Sequence, residues 1–211
     1  PTCRELIPQR VQHGHRDDLL SALIREAEAS PEPFDPADIV TLVVNLLFGG
    51  HDTSRSMLSI SALIFLQHRD QLERMRKDPR LVASAAEECL RFEPVIGMMG
   101  RTPAVDVQIG DVTLCAGEMV GLSILSASRD PSVFERPDEF DIGRSGQRSF
   151  AFGWGPHHCL GAALARAELQ EAITALFEHC REIELVDPAP AWVPRSEEPT
   201  SELQSRRNLV C

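Results

Sequence analysis

The sequence has no excess of basic residues, with 21 Lys and Arg against 32 Asp and Glu and a formal net charge of -11. A nucleic-acid role is thereby disfavoured, because phosphate binding needs clustered cations. No Cys-x-x-Cys occurs, and the six cysteines at 3, 89, 115, 159, 180 and 211 show no paired spacing. They read as mostly reduced thiols of a reducing, cytoplasmic compartment. No apolar run approaches the ~20 residues of a membrane span, and no signal peptide or membrane anchor is visible. The chain also lacks an initiator Met, and its start at Pro1 predicts that an N-terminal portion is absent. What remains is 211 residues, 43% hydrophobic and 25% charged, enough for one substantial domain with a real core.

One stretch concentrates the chemistry: Phe150-Ala151-Phe152-Gly153-Trp154-Gly155-Pro156-His157-His158-Cys159-Leu160-Gly161. Gly153, Gly155 and Pro156 suit a tight turn. From Leu160 onward Leu169, Ile173, Leu176, Phe177 and Cys180 recur at helical steps, which puts Cys159 at a helix N-terminus. Unpaired N–H groups and the helix dipole favour a thiolate there, the form that ligates metals or attacks electrophiles. The alternatives are a buried structural cysteine and a zinc site with His157 and His158. Adjacent residues are poorly placed to surround a tetrahedral ion.

A second stretch lies within a long predicted helix from about Pro36 to Gln67, started by Asp35 as N-cap and apolar enough to cross the domain interior. At its middle Gly49-Gly50-His51-Asp52-Thr53-Ser54 interrupts good helix formers. Each glycine costs about 1 kcal/mol against alanine in a helix, so the pair points to ligand approach, a kink, or a packing notch with hydroxyls bonding back one turn.

The first stretch resembles the cysteine-ligand loop of the cytochrome P-450 family, with Phe152, Gly155, Cys159 and Gly161 in the pattern, and the second resembles that family's distal-helix motif through Gly49, Gly50, Asp52, Thr53 and Ser54. Glu88 and Arg91 match its Glu-x-x-Arg pair. Such a pair is ordinarily a solvated surface bridge, and the resemblance makes it instead a buried structural one that locks the cysteine loop. The four motifs, with Arg101 after an apolar, glycine-rich linker over 94–100, occur in family order across roughly residues 15 to 194.

The resemblance implies a mainly α fold with small β-hairpins, the C-terminal portion of the family's fold, as a partial haem domain over 1–194 with its N-terminal half absent. It implies a soluble bacterial haem-thiolate monooxygenase that hydroxylates or epoxidises an apolar small molecule. The cofactor would be haem b, iron protoporphyrin IX, with Cys159 as metal ligand. Phe152, Gly153 and Gly161 would sit at the cofactor, with Arg101 and His157 on its propionates. Asp52 and Thr53 would relay protons for O–O cleavage. Electrons would come through a ferredoxin or flavoprotein, with Arg166 as a contact. A peroxygenase on the same scaffold and a truncated, non-catalytic haem binder are the alternatives.

Further expectations are helices over residues 16–29, 69–78 and 79–92, and a hairpin through Val105, Val107, Ile109, Gly110-Asp111, Val112 and Leu114. A short helix over 122–129, a surface meander over 130–149 and a strand over 183–186 follow. The family's third partner for Glu88 would fall at Glu139, which has the wrong charge. Residues 195–211 have no hydrophobic period and resemble a translated sequencing adapter, so they are expected to be non-native, with a disordered native tail as the alternative.

Overall fold

A computed structural model describes residues 3–14, 16–31, 36–146, 149–180 and 182–185. The helices are α1 (Cys3–His13), α2 (Leu19–Ala29), α3 (Pro36–Gln67), α4 (Arg69–Lys77), α5 (Val82–Phe92), α6 (Ile124–Ala127) and α7 (Ala162–His179). The strands are β1 (Met98–Arg101), β2 (Val107–Ile109), β3 (Val112–Leu114) and β4 (Val120–Ser123). The expected mainly α class with small sheets is the observed one. Two compact units divide after Arg55.

In the N-terminal unit Ile7, Ile24 and Ile39 form a small core with Leu20, Ala27, Val40 and Val43 around it. Helix α2 begins at Leu19 rather than residue 16, because the Asp18 carboxylate caps it, accepting the Ser21 N–H at 2.9 Å while Arg10 Nη1 donates to it at 2.5 Å. Helix α1 carries Pro8 in its interior and was not legible from periodicity. The expected cap at Asp35 lies outside the described residues.

Helix α3 departs from two expectations. Its first half does not run through an interior: Val44, Leu47 and Phe48 are exposed at 49%, 64% and 73%. The sequence there is apolar almost all round, and among the described residues the stripe of Ile39, Val40 and Val43 is the part that joins the small core of the unit. The helix also continues unbroken through Gly49 and Gly50, and a Cβ at either would meet nothing within 4 Å, so no packing notch exists among the described residues.

The C-terminal unit has one core, built from Met57, Ile64 and Phe65 of α3, Leu72 and Met75 of α4, Ala85, Ala86, Cys89 and Leu90 of α5, and Leu169, Ile173 and Phe177 of α7. Fully buried Ala85 and Ala86 let α5 lie close against α7. Cys180, expected on the apolar stripe of α7, is instead its exposed C-cap. The expected meander after residue 130 is irregular but not only superficial, since Phe134, Phe140 and Ile142 are buried.

The hairpin forms from Val107 on, with Val107 opposite Leu114, Ile109 opposite Val112 and Gly110 at φ 55° in the turn, while Val105 lies in a bend before the strand. A second antiparallel pair joins β1 to β4, with Met98 opposite Ser123 and Arg101 opposite Val120. The linker over 94–100 therefore ends in a strand. The helix expected from Leu122 starts only at Ile124, where the Ser123 side chain caps it by accepting the Ser126 N–H at 3.1 Å. No strand forms over 183–185; there the Ile183 carbonyl accepts from Arg69 rather than from a neighbouring strand. Val186 and residues 195–211 lie outside the described residues.

Candidate functional site

The loop before α7 is shaped by its glycines. Gly153 and Gly155 have φ of 70° and 77°, a region in which an L side chain is strained. Their turn lets the Gly153 N–H donate to the Phe150 carbonyl at 2.8 Å and the His158 N–H donate to the Gly155 carbonyl at 3.0 Å. The loop then folds back so that the Cys159 N–H donates to the Phe152 carbonyl at 2.9 Å. Its amide is thus fixed while its thiol stands exposed.

Helix α7 starts at Ala162, not at Leu160, because its first helical bond runs from the Ala165 N–H to the Gly161 carbonyl at 2.8 Å. The Cys159 carbonyl only closes a turn with the Ala162 N–H, at 3.3 Å. Cys159 accordingly precedes the cap residue Gly161, at which a Cβ would come within 4.0 Å of the sulfur. Cys89 provides the contrast. It is fully buried in the core, and burial pushes its thiol up to about 12, which makes it inert. The buried structural reading belongs to Cys89 rather than Cys159.

Three further elements bear on the loop. Phe152 packs on the C-terminal core, and the Arg166 guanidinium of α7 lies 4.5 Å over its ring. Arg166, expected as a contact for an electron donor, pairs with Glu87 of α5 at 2.5 Å and stays partly exposed. A Cβ on Gly153 would lie 3.7 Å from Met99 Cε, which brings β1 against the loop. At the end of β1 Arg101 is exposed, its Nη1 donating back to the Gly100 carbonyl at 2.8 Å, and among the described residues it pairs with no carboxylate. His157 is exposed on a short 3-10 turn over Gly155–His157.

Glu88 and Arg91 are each 2% exposed and pair through two bonds of 2.7 and 2.8 Å. Arg91 also donates to the carbonyls of Ser128, Pro137 and Glu139 at 2.8, 2.8 and 3.1 Å. The third partner of Glu88 is Arg144, whose Nε lies 3.1 and 3.2 Å from its two oxygens. Reading position 139 for that role failed: the Glu139 side chain turns to Arg136 at 2.6 Å, and only its backbone carbonyl joins the network. Phe140-Asp141-Ile142-Gly143-Arg144 was the available signal, with buried Phe140 and Ile142 setting the register that turns Arg144 inward.

Asp52 and Thr53 belong to the N-terminal unit. Asp52 is exposed and lies 3.5 Å from Arg55, while the Thr53 hydroxyl donates back to the Gly49 carbonyl. Among the described residues no three His, Cys, Asp or Glu side chains group to hold a metal ion, so the zinc alternative lacks its ligands. No helix of the described residues is long and apolar enough to cross a membrane.

An exposed thiol on a glycine-turned loop, braced from α5 and α7, is a site for a single thiolate ligand. Comparison with known proteins points to one family. The family model described as Cytochrome P450 matches residues 3–192. A protein named biotin biosynthesis cytochrome P450, from Bacillus subtilis strain 168, is 39% identical over 184 residues, covering 87% of this chain and 46% of the relative. Cytochrome P450 107B1 of Saccharopolyspora erythraea is 42% identical, covering 82% and 43%. The crystal structure of P450BioI in complex with hexadec-9Z-enoic acid ligated acyl carrier protein superposes with a TM-score of 0.83 at 37% identity, covering 92% of this chain and 48% of that one. The chain belongs to the cytochrome P450 family, and it spans about half the length of the curated relatives it matches.

Membership implies a haem cofactor, and the residues present fit one. Cys159 offers an uncommitted sulfur with its amide already satisfied. Leu160 and Leu164, in the same stretch, are exposed at 79% and 63%, apolar surface of the kind a porphyrin covers. Arg101 and His157 are exposed donors suited to carboxylates.

Proposed function

We propose that this chain carries the cysteine-ligand portion of a haem-thiolate monooxygenase that hydroxylates or epoxidises an apolar small molecule in the cytoplasm. The observation that carries the reading is the Cys159 loop: amide bonded to the Phe152 carbonyl, sulfur exposed, two glycines at positive φ. The cofactor is non-covalently held haem b. When bound it supplies dioxygen activation and oxygen-atom transfer, with the thiolate donating electron density to the iron.

The chain's own residues have distinct tasks. The backbone turn at Gly153 and Gly155 fixes the direction of the Cys159 side chain. Arg101 and His157 hold the propionates, Phe152 and Gly153 bound the cysteine loop, and Gly161 keeps the space beside the sulfur clear. Asp52 and Thr53 handle protons. The Thr53 hydroxyl spends its hydrogen on the Gly49 carbonyl, which leaves its oxygen lone pairs to accept from a water. An exposed carboxylate one residue away can feed that water. A ferredoxin or flavoprotein supplies electrons. One similar solved structure holds a fatty-acid-ligated acyl carrier protein, so carrier-tethered acyl chains belong among the first substrates to test.

The test is the haem-loaded, reduced protein under carbon monoxide. Thiolate ligation gives a strongly red-shifted Soret band, and Cys159→Ser abolishes it. A band that survives Cys159→Ser, or none from the wild type, overturns the assignment.

A further inference from the structure

We propose that Glu87 and Arg166 are positioning residues for Cys159, acting through Phe152 to hold the ligand loop and to set the electrostatic environment of a bound haem. The proposal rests on the reading of Cys159 as the haem ligand.

Four groups form the path. Glu87 of α5 takes two bonds from Arg166 of α7, from Nε at 2.5 Å and from Nη2 at 3.4 Å. The guanidinium so fixed lies 4.5 Å over the Phe152 ring, and the same ring packs on the core. The Phe152 carbonyl in turn accepts the Cys159 N–H at 2.9 Å. The ring is therefore held by contacts to an apolar core and to a fixed cation, and the residue so held is the one that bonds the cysteine's amide. Only a planar, forked cation can grip a carboxylate and stack on a ring together; lysine can do one or the other.

Position in the fold gives the clamp its leverage. Glu87 adjoins Glu88, whose buried pair with Arg91 ties α5 to residues 128–144. Helix α5 thus anchors the segment entering the cysteine loop through one glutamate and the loop itself through the next. The ion pair is also neutral as a unit, so removing either member leaves the other charge bare beside the loop.

Two measurements on the whole chain test this. The first needs no haem: hydrogen exchange at the Cys159 amide. Arg166→Gln and Arg166→Lys both speed exchange by about 2- to 30-fold, the range that losing one cation–π contact corresponds to. Unchanged exchange in both variants overturns the clamp. The second is the midpoint potential of the haem-loaded protein. A nearby cation favours the electron-richer reduced state, so Arg166→Gln lowers the potential and Glu87→Gln raises it, while Arg166→Lys leaves it nearly unchanged. General loosening of the loop would move the first two in the same direction, and that result, or no shift, overturns the electrostatic role. If the wild type takes up no thiolate-ligated haem, the haem reading fails while the exchange measurement still judges the clamp.

Discussion

Both carboxylate oxygens of Glu88 are occupied, by Arg91, by Arg144 and by the Asp141 N–H at 3.0 Å, in a site with almost no solvent. Burying these charges is costly, and their mutual attraction offsets the cost only while every partner stays in place. Arg91→Ala leaves Glu88 buried with Arg144 as its one remaining cation and takes the arginine donor from the Ser128 and Pro137 carbonyls, while the Glu139 carbonyl keeps Arg144. The expected loss is about 3–5 kcal/mol, read from urea denaturation. Arg144→Ala should cost less, because the two-bond pair with Arg91 survives; equal losses would contradict this ordering. The Glu-x-x-Arg pair was legible as a spacing, and its burial came only with family resemblance. Arg144 was not legible, because a lone arginine among Asp and Gly reads as solvated surface. Its inward turn depends on where Phe140 and Ile142 find the core, which is tertiary information.

At the scale of elements, the clearest features in the sequence were those with strong local patterning: α4, α5, α7 and the β2–β3 hairpin. The β1–β4 pair escaped because Met98-Met99-Gly100-Arg101 and Val120-Gly121-Leu122-Ser123 show no alternation, and their partners are about twenty residues apart. The expected strand had the right apolar residues, but over 183–185 it finds no partner strand among the described residues. Helix α3 exposes a different conflict. Gly49 and Gly50 sit within a continuous helix with no other side chain close to either, so in the protein alone their backbone freedom weakens the helix. Gly50→Ala should therefore stabilise the chain by about 0.5–1 kcal/mol, seen as a raised thermal midpoint of the helical circular dichroism signal. A destabilised Gly50→Ala chain would mean that the space beside the helix is needed. The cysteine loop obeys the opposite rule, since Gly153 and Gly155 hold positive φ and resist the same substitution.

For the molecule as a whole, acidity sets how stability depends on pH. At a formal charge of -11 the folded chain repels itself, and protonating carboxylates would relieve that repulsion. Several aspartates oppose this, because the fold holds them below the usual carboxylate range. At Asp18 the Ser21 N–H does so, at Asp78 the Arg80 side chain, and at Asp130 the Ser132 hydroxyl and N–H. At Asp141 partial burial pulls the other way and is outweighed by the Gly143 N–H and by Arg74, 2.8 Å distant. A carboxyl with a depressed folded pKa binds fewer protons folded than unfolded, so stability rises with pH across that interval. Its contribution is complete above the unfolded value of about 3.9 and is lost as pH falls through the folded one. Asp141→Asn isolates one such contribution, since asparagine keeps the size and an acceptor but cannot titrate. Urea midpoints of the wild type and of Asp141→Asn should separate above about pH 4, with the wild type more stable, and close together as the pH falls further. A constant gap at every pH would mean that Asp141 contributes shape rather than charge. In that case its bond to Arg74, and the close approach of Gly143 that accommodates the guanidinium, would be the contact to examine.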